Sequence, residues 1–298
     1  MKQQLQLSGT GVALVTPFRN KAIDFSALSR LIEHTIQGGV DFIVSLGTTG
    51  EAITQSPEEC REVLSFTVRE VKGRVPVVAG LFGSNYTEKL VNALKVYDFE
   101  GIAAIMSSSP AYSKPSQEGI YQHYMAVAEA SPVPVIIYNV PGRTCSNIEA
   151  ETTLRLAHSS DRFLAVKEAS GDLAQAISIL KDKPAHFQVW SGEDPLTLPM
   201  IACGATGVIS VIANAFPQPF SSMVRHARAG ELQVARKWND LLHDIHPYLY
   251  VDGNPSGIKG ALEMIGICSK ETRIPLVPLT DQTYQELHRV IEKAGLLP

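Results

Sequence analysis

Eight short apolar runs recur along this 298-residue chain, each separated from the next by a segment long enough to hold a helix. They are Val12–Val15, Phe42–Leu46, Val75–Gly80, Gly101–Met106, Pro134–Val140, Phe163–Lys167, Phe187–Trp190 and Gly207–Val211. Runs that stay apolar rather than alternating belong to strands buried on both faces, the condition of a parallel sheet covered by helices. Parallel neighbours also need a crossover connection, which the intervening segments can supply.

Those segments carry helix punctuation. Asp24 precedes an apolar-periodic stretch that stops at Gly38-Gly39. Ser56-Pro57-Glu58-Glu59 puts serine at the N-cap, proline at N1 and glutamate at N3. Gly171-Asp172 opens a further helix over Leu173–Leu180. Eight such units predict an α/β fold, a (β/α)₈ TIM barrel spanning residues 1–230. Helical periodicity at Glu231–Tyr250, Ile258–Ile265 and Asp281–Ala294 predicts a C-terminal helical subdomain over residues 231–298. A doubly wound open sheet uses the same alternation, but the count of eight and the missing GxGxxG favour the barrel.

Composition narrows the function classes. The chain is 45% hydrophobic and 19% charged, which suits a large core. A net charge of −4 without a dense basic run argues against nucleic acid or an anionic membrane as partner. Cys60, Cys145, Cys203 and Cys268 are scattered, as in reduced thiols rather than a disulfide framework or zinc site. The polar start, Met1 to Ser8, is unlike a secretory signal, and no apolar run approaches a membrane span. A soluble, cytoplasmic protein is expected.

In such a barrel the chemistry belongs at the carboxyl ends of the strands. Lys167 closes the run Phe163-Leu164-Ala165-Val166, so its stem is desolvated and its head points beyond the strand. Loss of hydration disfavours the charged amine and frees it to attack a carbonyl, although a strand-capping lysine can also snorkel to water. Gly47-Thr48-Thr49-Gly50-Glu51 follows the second run and reads either as an anion nest or as an ordinary turn. Tyr112 lies on a proline-bracketed loop after the fourth run; Tyr138 and Arg143 follow the fifth; Gly192 follows the seventh; Ile209 lies in the eighth. A lysine with tyrosines is the set a Schiff-base enzyme needs, the amine attacking a ketone and a phenol moving protons. Arginine suits a second carboxylate. His243 and His246 stand three apart, but with no third ligand in register they read as an unliganded pair, and Met200, Trp238, Tyr248 and Tyr250 read as helix packing.

Three motifs, Gly47-Thr48-Thr49-Gly50-Glu51, Tyr138-Asn139-Val140-Pro141-Gly142-Arg143-Thr144 and Val166-Lys167-Glu168-Ala169-Ser170-Gly171-Asp172, resemble those of the dihydrodipicolinate synthase and N-acetylneuraminate lyase family. Asn254-Pro255 with Lys259 is a further family-like feature, and the resemblance runs nearly the whole length. It implies no cofactor beyond a covalent pyruvate imine on Lys167, whose enamine attacks L-aspartate-4-semialdehyde in a step towards diaminopimelate and lysine. It further implies Tyr138 as acid/base, Thr48 as its link to Tyr112 from a neighbouring subunit, and Thr49 as holder of the pyruvate carboxylate. Arg143 would hold the semialdehyde carboxylate, with Gly192 and the Ile209 carbonyl lining the site, in a homotetramer built as a dimer of dimers. Other readings are retro-aldol cleavage of a 2-keto-3-deoxy sugar acid, disfavoured by Arg143, and a catalytically silent barrel. Lysine-inhibited members carry histidine, histidine and glutamate where Pro57, Cys60 and Lys89 stand, and tyrosine in place of Ala111. Only Asn85 matches, which implies weak or absent feedback by lysine.

Overall fold

The computed structural model describes residues 7–80 and 86–298. The N-terminal residues 1–6 and Asn85, which entered the readings above, lie outside the described residues. Strands β1 (Gly9–Ala13), β2 (Phe42–Ser45), β3 (Val77–Gly80), β4 (Ile102–Ser108), β5 (Val135–Asn139), β6 (Phe163–Glu168), β7 (Gln188–Ser191) and β8 (Gly207–Ser210) form one parallel sheet. Pairing of β1 with both β2 and β8 closes it into a barrel, so no sheet edge is left open.

The apolar runs are explained by two separate cores. Val12, Ile43, Val77, Ile105, Ile137, Val166, Val189 and Val208 pack outward against the helices. Their strand neighbours Ala13, Val44, Val78, Met106, Tyr138, Ala165, Trp190 and Ile209 pack inside the barrel. Successive side chains on a strand face opposite ways, so a strand that is dry on both sides must be apolar at every position. The Phe42 and Trp190 rings meet inside at 5.3 Å between centroids.

The first strand begins three residues before the expected Val12–Val15. Gly9, Thr10 and Gly11 carry no apolar signal, yet the barrel needs small residues there. A Cβ on Gly11 would lie 2.3 Å from the Phe42 ring, and one on the facing Gly207 would lie 2.4 Å from the Gly9 carbonyl oxygen. Phe18–Arg19 and Ala22–Ile23 form a small antiparallel ribbon that the sequence reading did not anticipate.

Helix Pro57–Val71 starts with the complete capping box of Ser56 and Glu59, and helix Phe25–Gln37 starts at Asp24, whose side chain accepts from the Ala27 amide. After β8, helix Pro217–Arg228 packs back on the barrel, and helices Leu232–His243, Ser256–Met264 and Asp281–Lys293 follow. Two ion pairs tie this last stretch to the β2 side. Arg273 grips Glu59 with two nitrogens, each at 2.7 Å, and Lys259 bonds the Glu51 carboxylate.

Candidate active site

Tyr138 on β5 and Lys167 on β6 are register partners at the carboxyl end of the barrel, and both face inward. Lys167 is only 5% exposed. Its Nζ lies 4.2 Å from the centroid of the Tyr138 ring, within the range of a cation–π contact. Gly192, just past β7, keeps the space beside it open: a Cβ there would lie 3.1 Å from Lys167 Cε and 2.5 Å from the Ala169 methyl. The amine therefore has a phenol on one side and bare backbone on the other.

The adjacent Glu168 faces the opposite way, as strand alternation requires. Its buried carboxylate accepts Asn139 Nδ2 at 3.0 and 3.1 Å, Gln175 Nε2 at 2.9 Å and the Ser170 amide at 2.7 Å. Asn139 in turn accepts the Ile148 amide at 2.9 Å. This network fixes the β5 and β6 ends behind Tyr138 and Lys167, so Glu168 braces the site and is not directed into it.

The loop after β2 begins with backbone strain, since buried Leu46 has φ +62°. Left-handed non-glycine residues cost on the order of 1–3 kcal/mol and gather at functional sites. The Gly50 and Glu51 amides are spent on the Gly47 and Thr48 carbonyls, at 3.0 and 3.1 Å. Among the described residues, the amides of Thr48 and Thr49 donate to nothing. The anion nest expected over Gly47–Glu51 thus narrows to two adjacent N–H groups. Thr49 is buried, and its Oγ1 accepts Asn254 Nδ2 at 3.0 Å, whereas Thr48 is half-buried.

Glu51, with φ +53°, sends its side chain beneath the loop to Lys259. Both groups are 0% exposed. Lys259 also donates to the Glu271 carbonyl at 2.8 Å, and Glu51 accepts the Arg273 amide at 3.1 Å. Burial pulls the Lys259 ammonium below the usual lysine range, and the Glu51 charge acts against that pull. The sequence reading noted Lys259 but assigned it no partner, because the pair spans more than two hundred residues.

The remaining candidates sit at the rim. Arg143 lies in the short helix Pro141–Thr144, exposed; its amide donates to the Val140 carbonyl at 2.9 Å, and its guanidinium makes no hydrogen bond or ion pair among the described residues. Ile209 is buried on the inner face of β8. Tyr112, at φ +69°, is 89% exposed, and among the described residues it is held only through its amide, which donates to the Thr144 carbonyl at 3.3 Å. It projects away from its own chain.

Two groups were missed. Half-buried Glu193 feels the charges of both Lys167 and Arg143. Tyr250, read from sequence as helix packing, feels Asp194, Glu193, Tyr138 and Arg143, and burial first of all drives its phenol well above the ordinary range. Only the spatial return of the C-terminal segment over the mouth reveals it. On the β2 side, Pro57, Cys60 and Lys89 line a cavity of about 340 Å³ together with Ile53 and Arg61. Burial pushes the Cys60 thiol up to about 11.

Residues 6–294 match the model of the Dihydrodipicolinate synthetase family. A 4-hydroxy-tetrahydrodipicolinate synthase of Parabacteroides distasonis is 48% identical over 98% of this chain and 98% of its own length. One of Phocaeicola vulgatus is 45% identical, covering 97% of this chain and 98% of its own. The crystal structure of dihydrodipicolinate synthase from Aquifex aeolicus superimposes with a TM-score of 0.94 at 38% identity, covering 98% of this chain and 99% of that one.

Proposed function

The chain belongs to the dihydrodipicolinate synthetase family, and from that premise we propose how its residues divide the work of the reaction. It is an enzyme that condenses pyruvate with L-aspartate-4-semialdehyde to 4-hydroxy-tetrahydrodipicolinate, in the biosynthesis of diaminopimelate and lysine. The observation that carries the division of roles is the inward pair on β5 and β6: a nearly inaccessible amine, a phenol against it, and open space over Gly192.

Lys167 attacks C2 of pyruvate and expels water to form an imine. No external cofactor is then required, since the iminium nitrogen is the electron sink. Loss of a C3 proton gives the enamine, which bonds to the aldehyde carbon of the second substrate. Tyr138 moves the protons of imine formation and breakdown, with Thr48 relaying them to Tyr112 of a neighbouring subunit. The amides of Thr48 and Thr49, which donate to nothing among the described residues, suit the pyruvate carboxylate, and the Asn254 bond orients the Thr49 hydroxyl. Arg143, whose guanidinium has no hydrogen-bond or ion-pair partner among the described residues, takes the carboxylate of the semialdehyde. Gly192 and the Ile209 backbone line the space between.

The exposure of Tyr112 supports self-association, which we assign as a homotetramer made of two tight dimers. Residues 1–230 are assigned to the catalytic barrel and 231–298 to a helical subdomain. Among the described residues no helix is long and apolar enough to cross a membrane, in keeping with a cytoplasmic enzyme. Borohydride reduction in the presence of pyruvate tests the central step. Mass spectrometry is expected to find one reduced pyruvate on Lys167, and an unmodified Lys167 or a label elsewhere overturns the assignment.

A further inference from the structure

Ser191-Gly192-Glu193-Asp194 leaves β7 beside Lys167 with two adjacent acids that are treated in opposite ways. Asp194 is buried, and its Oδ2 accepts the amides of Val211 at 3.0 Å and Ile212 at 2.8 Å. Glu193 has a pinned backbone instead. Its carbonyl accepts Ser191 Oγ at 2.7 Å, Thr197 Oγ1 at 3.2 Å and the Leu196 amide at 3.1 Å, and its own amide donates to Ser191 Oγ at 3.2 Å. The preceding Gly192 amide donates to the Glu168 carbonyl at 2.7 Å. Yet the Glu193 carboxylate makes no hydrogen bond or ion pair among the described residues. A half-buried anion is thus held, without a hydrogen-bond or ion-pair partner among the described residues, one residue from the glycine that leaves room beside the lysine stem.

The groups around it are Asp194 on its own turn, Lys167 on β6, Arg143 from the turn after β5 and Tyr250 from the C-terminal segment. The semialdehyde brings three polar groups to this mouth. The enamine on Lys167 meets the aldehyde, and Arg143 meets the carboxylate. The α-ammonium needs an anion, and it must lose a proton before its nitrogen can act as a nucleophile. We propose that Glu193 binds this α-ammonium and accepts its proton, making Glu193 the residue that selects an amino-bearing aldehyde and starts ring closure. The inference rests on the reading given under Proposed function.

The proton passes from ammonium to carboxylate, leaving a neutral amine and a carboxylic acid. The amine lone pair forms a carbon–nitrogen bond to the iminium carbon. A proton then moves from the new nitrogen to the Lys167 nitrogen, the old carbon–nitrogen bond breaks with its electron pair staying on Lys167, and the ring carbon–nitrogen double bond forms. Glu193 returns its proton to water. Burial, and next the Asp194 charge, raise the Glu193 carboxyl above its ordinary range, with Lys167 and Arg143 opposing. A raised carboxyl is the stronger base.

The test compares Glu193→Gln with the parent enzyme on two aldehydes, L-aspartate-4-semialdehyde and 4-oxobutanoate, which lacks the amino group. For the amino aldehyde, kcat/KM is expected to fall ~10²-fold, the order of one general-base contribution. Reductive trapping should then show the open-chain condensation adduct accumulating on Lys167. The rate of adduct formation with 4-oxobutanoate should stay within about threefold, and the acidic limb of the pH–kcat/KM profile, set above that of an ordinary glutamate, should vanish. Equal losses on both aldehydes, or none on either, overturn the proposal while the pyruvate adduct of the parent enzyme stands. Absence of that adduct in the parent overturns the underlying reading and this one with it.

Discussion

Lys167 and Tyr112 stand at the mouth of the same barrel, yet one is 5% exposed and the other 89%. Around Lys167 the single chain supplies everything: the Tyr138 ring, the opening over Gly192, and the Glu168–Asn139–Gln175 bracing behind the strands. On the β2–β4 side the chain is unfinished. Ile53 and Val96 stand exposed beside a cavity, and Tyr112 points away on a strained backbone. On the roles proposed above, the covalent step would draw on one chain alone, whereas the proton relay would draw on a second copy that buries what this side exposes.

The largest effect belongs to the finished side. Lys167→Ala is expected to cut turnover at least ~10⁵-fold, the scale of the advantage lost when a reactant is no longer held covalently. Reductive trapping should find no adduct, and a trapped pyruvate on another nitrogen would break the comparison at its root.

Next comes the post that joins the two sides. Lys259→Met leaves the Glu51 carboxylate buried without its partner, which costs about 3–5 kcal/mol in comparable sites. Urea unfolding should register that loss, and the KM for pyruvate should rise because the Thr48-Thr49 amides lose their support. Unchanged stability would mean that the pair contributes little.

Tyr112→Phe is expected to slow turnover ~10²-fold while leaving the pyruvate adduct on Lys167 intact. Diluting the parent enzyme below its assembly range should do the same. If dilution left the specific activity unchanged, the chain would be complete alone and the contrast between the two sides would disappear.

Arg143→Ala removes a charge-assisted contact of ~1.5–3 kcal/mol, so the apparent KM for the semialdehyde should rise roughly 10- to 100-fold with pyruvate trapping unaffected. The smallest effect is expected at the β2-side cavity. Lys89 and Arg61 line it, and a second ammonium is repelled there. Millimolar lysine should leave initial rates unchanged, and half-maximal inhibition below that range would assign the cavity a regulatory role.

Much of this was legible in the residues. The continuous apolar runs announced strands dry on both faces, and seven of the eight fall at or within about two residues of their observed starts. Ser56-Pro57-Glu58-Glu59 announced its own cap. The first strand was misjudged because its glycines serve a steric need, room for the Phe42 ring and the neighbouring backbone, that leaves no hydrophobic pattern. Lys167 was legible because a cation ending an apolar run conflicts with the local rule, and such conflicts gather at functional sites.

Glu193 and Tyr250 were not legible. A glutamate in a turn and a tyrosine near a helix are ordinary locally, and only the return of the C-terminal segment over the mouth brings them to Tyr138 and Arg143. Linear order thus determined the barrel and the placing of a buried lysine beside a phenol, because hydrophobic period and local backbone chemistry act over a few residues. Tertiary structure alone decided which charges share a dry space, as with Glu51 and Lys259, since electrostatic coupling depends on distance through the fold and not along the chain.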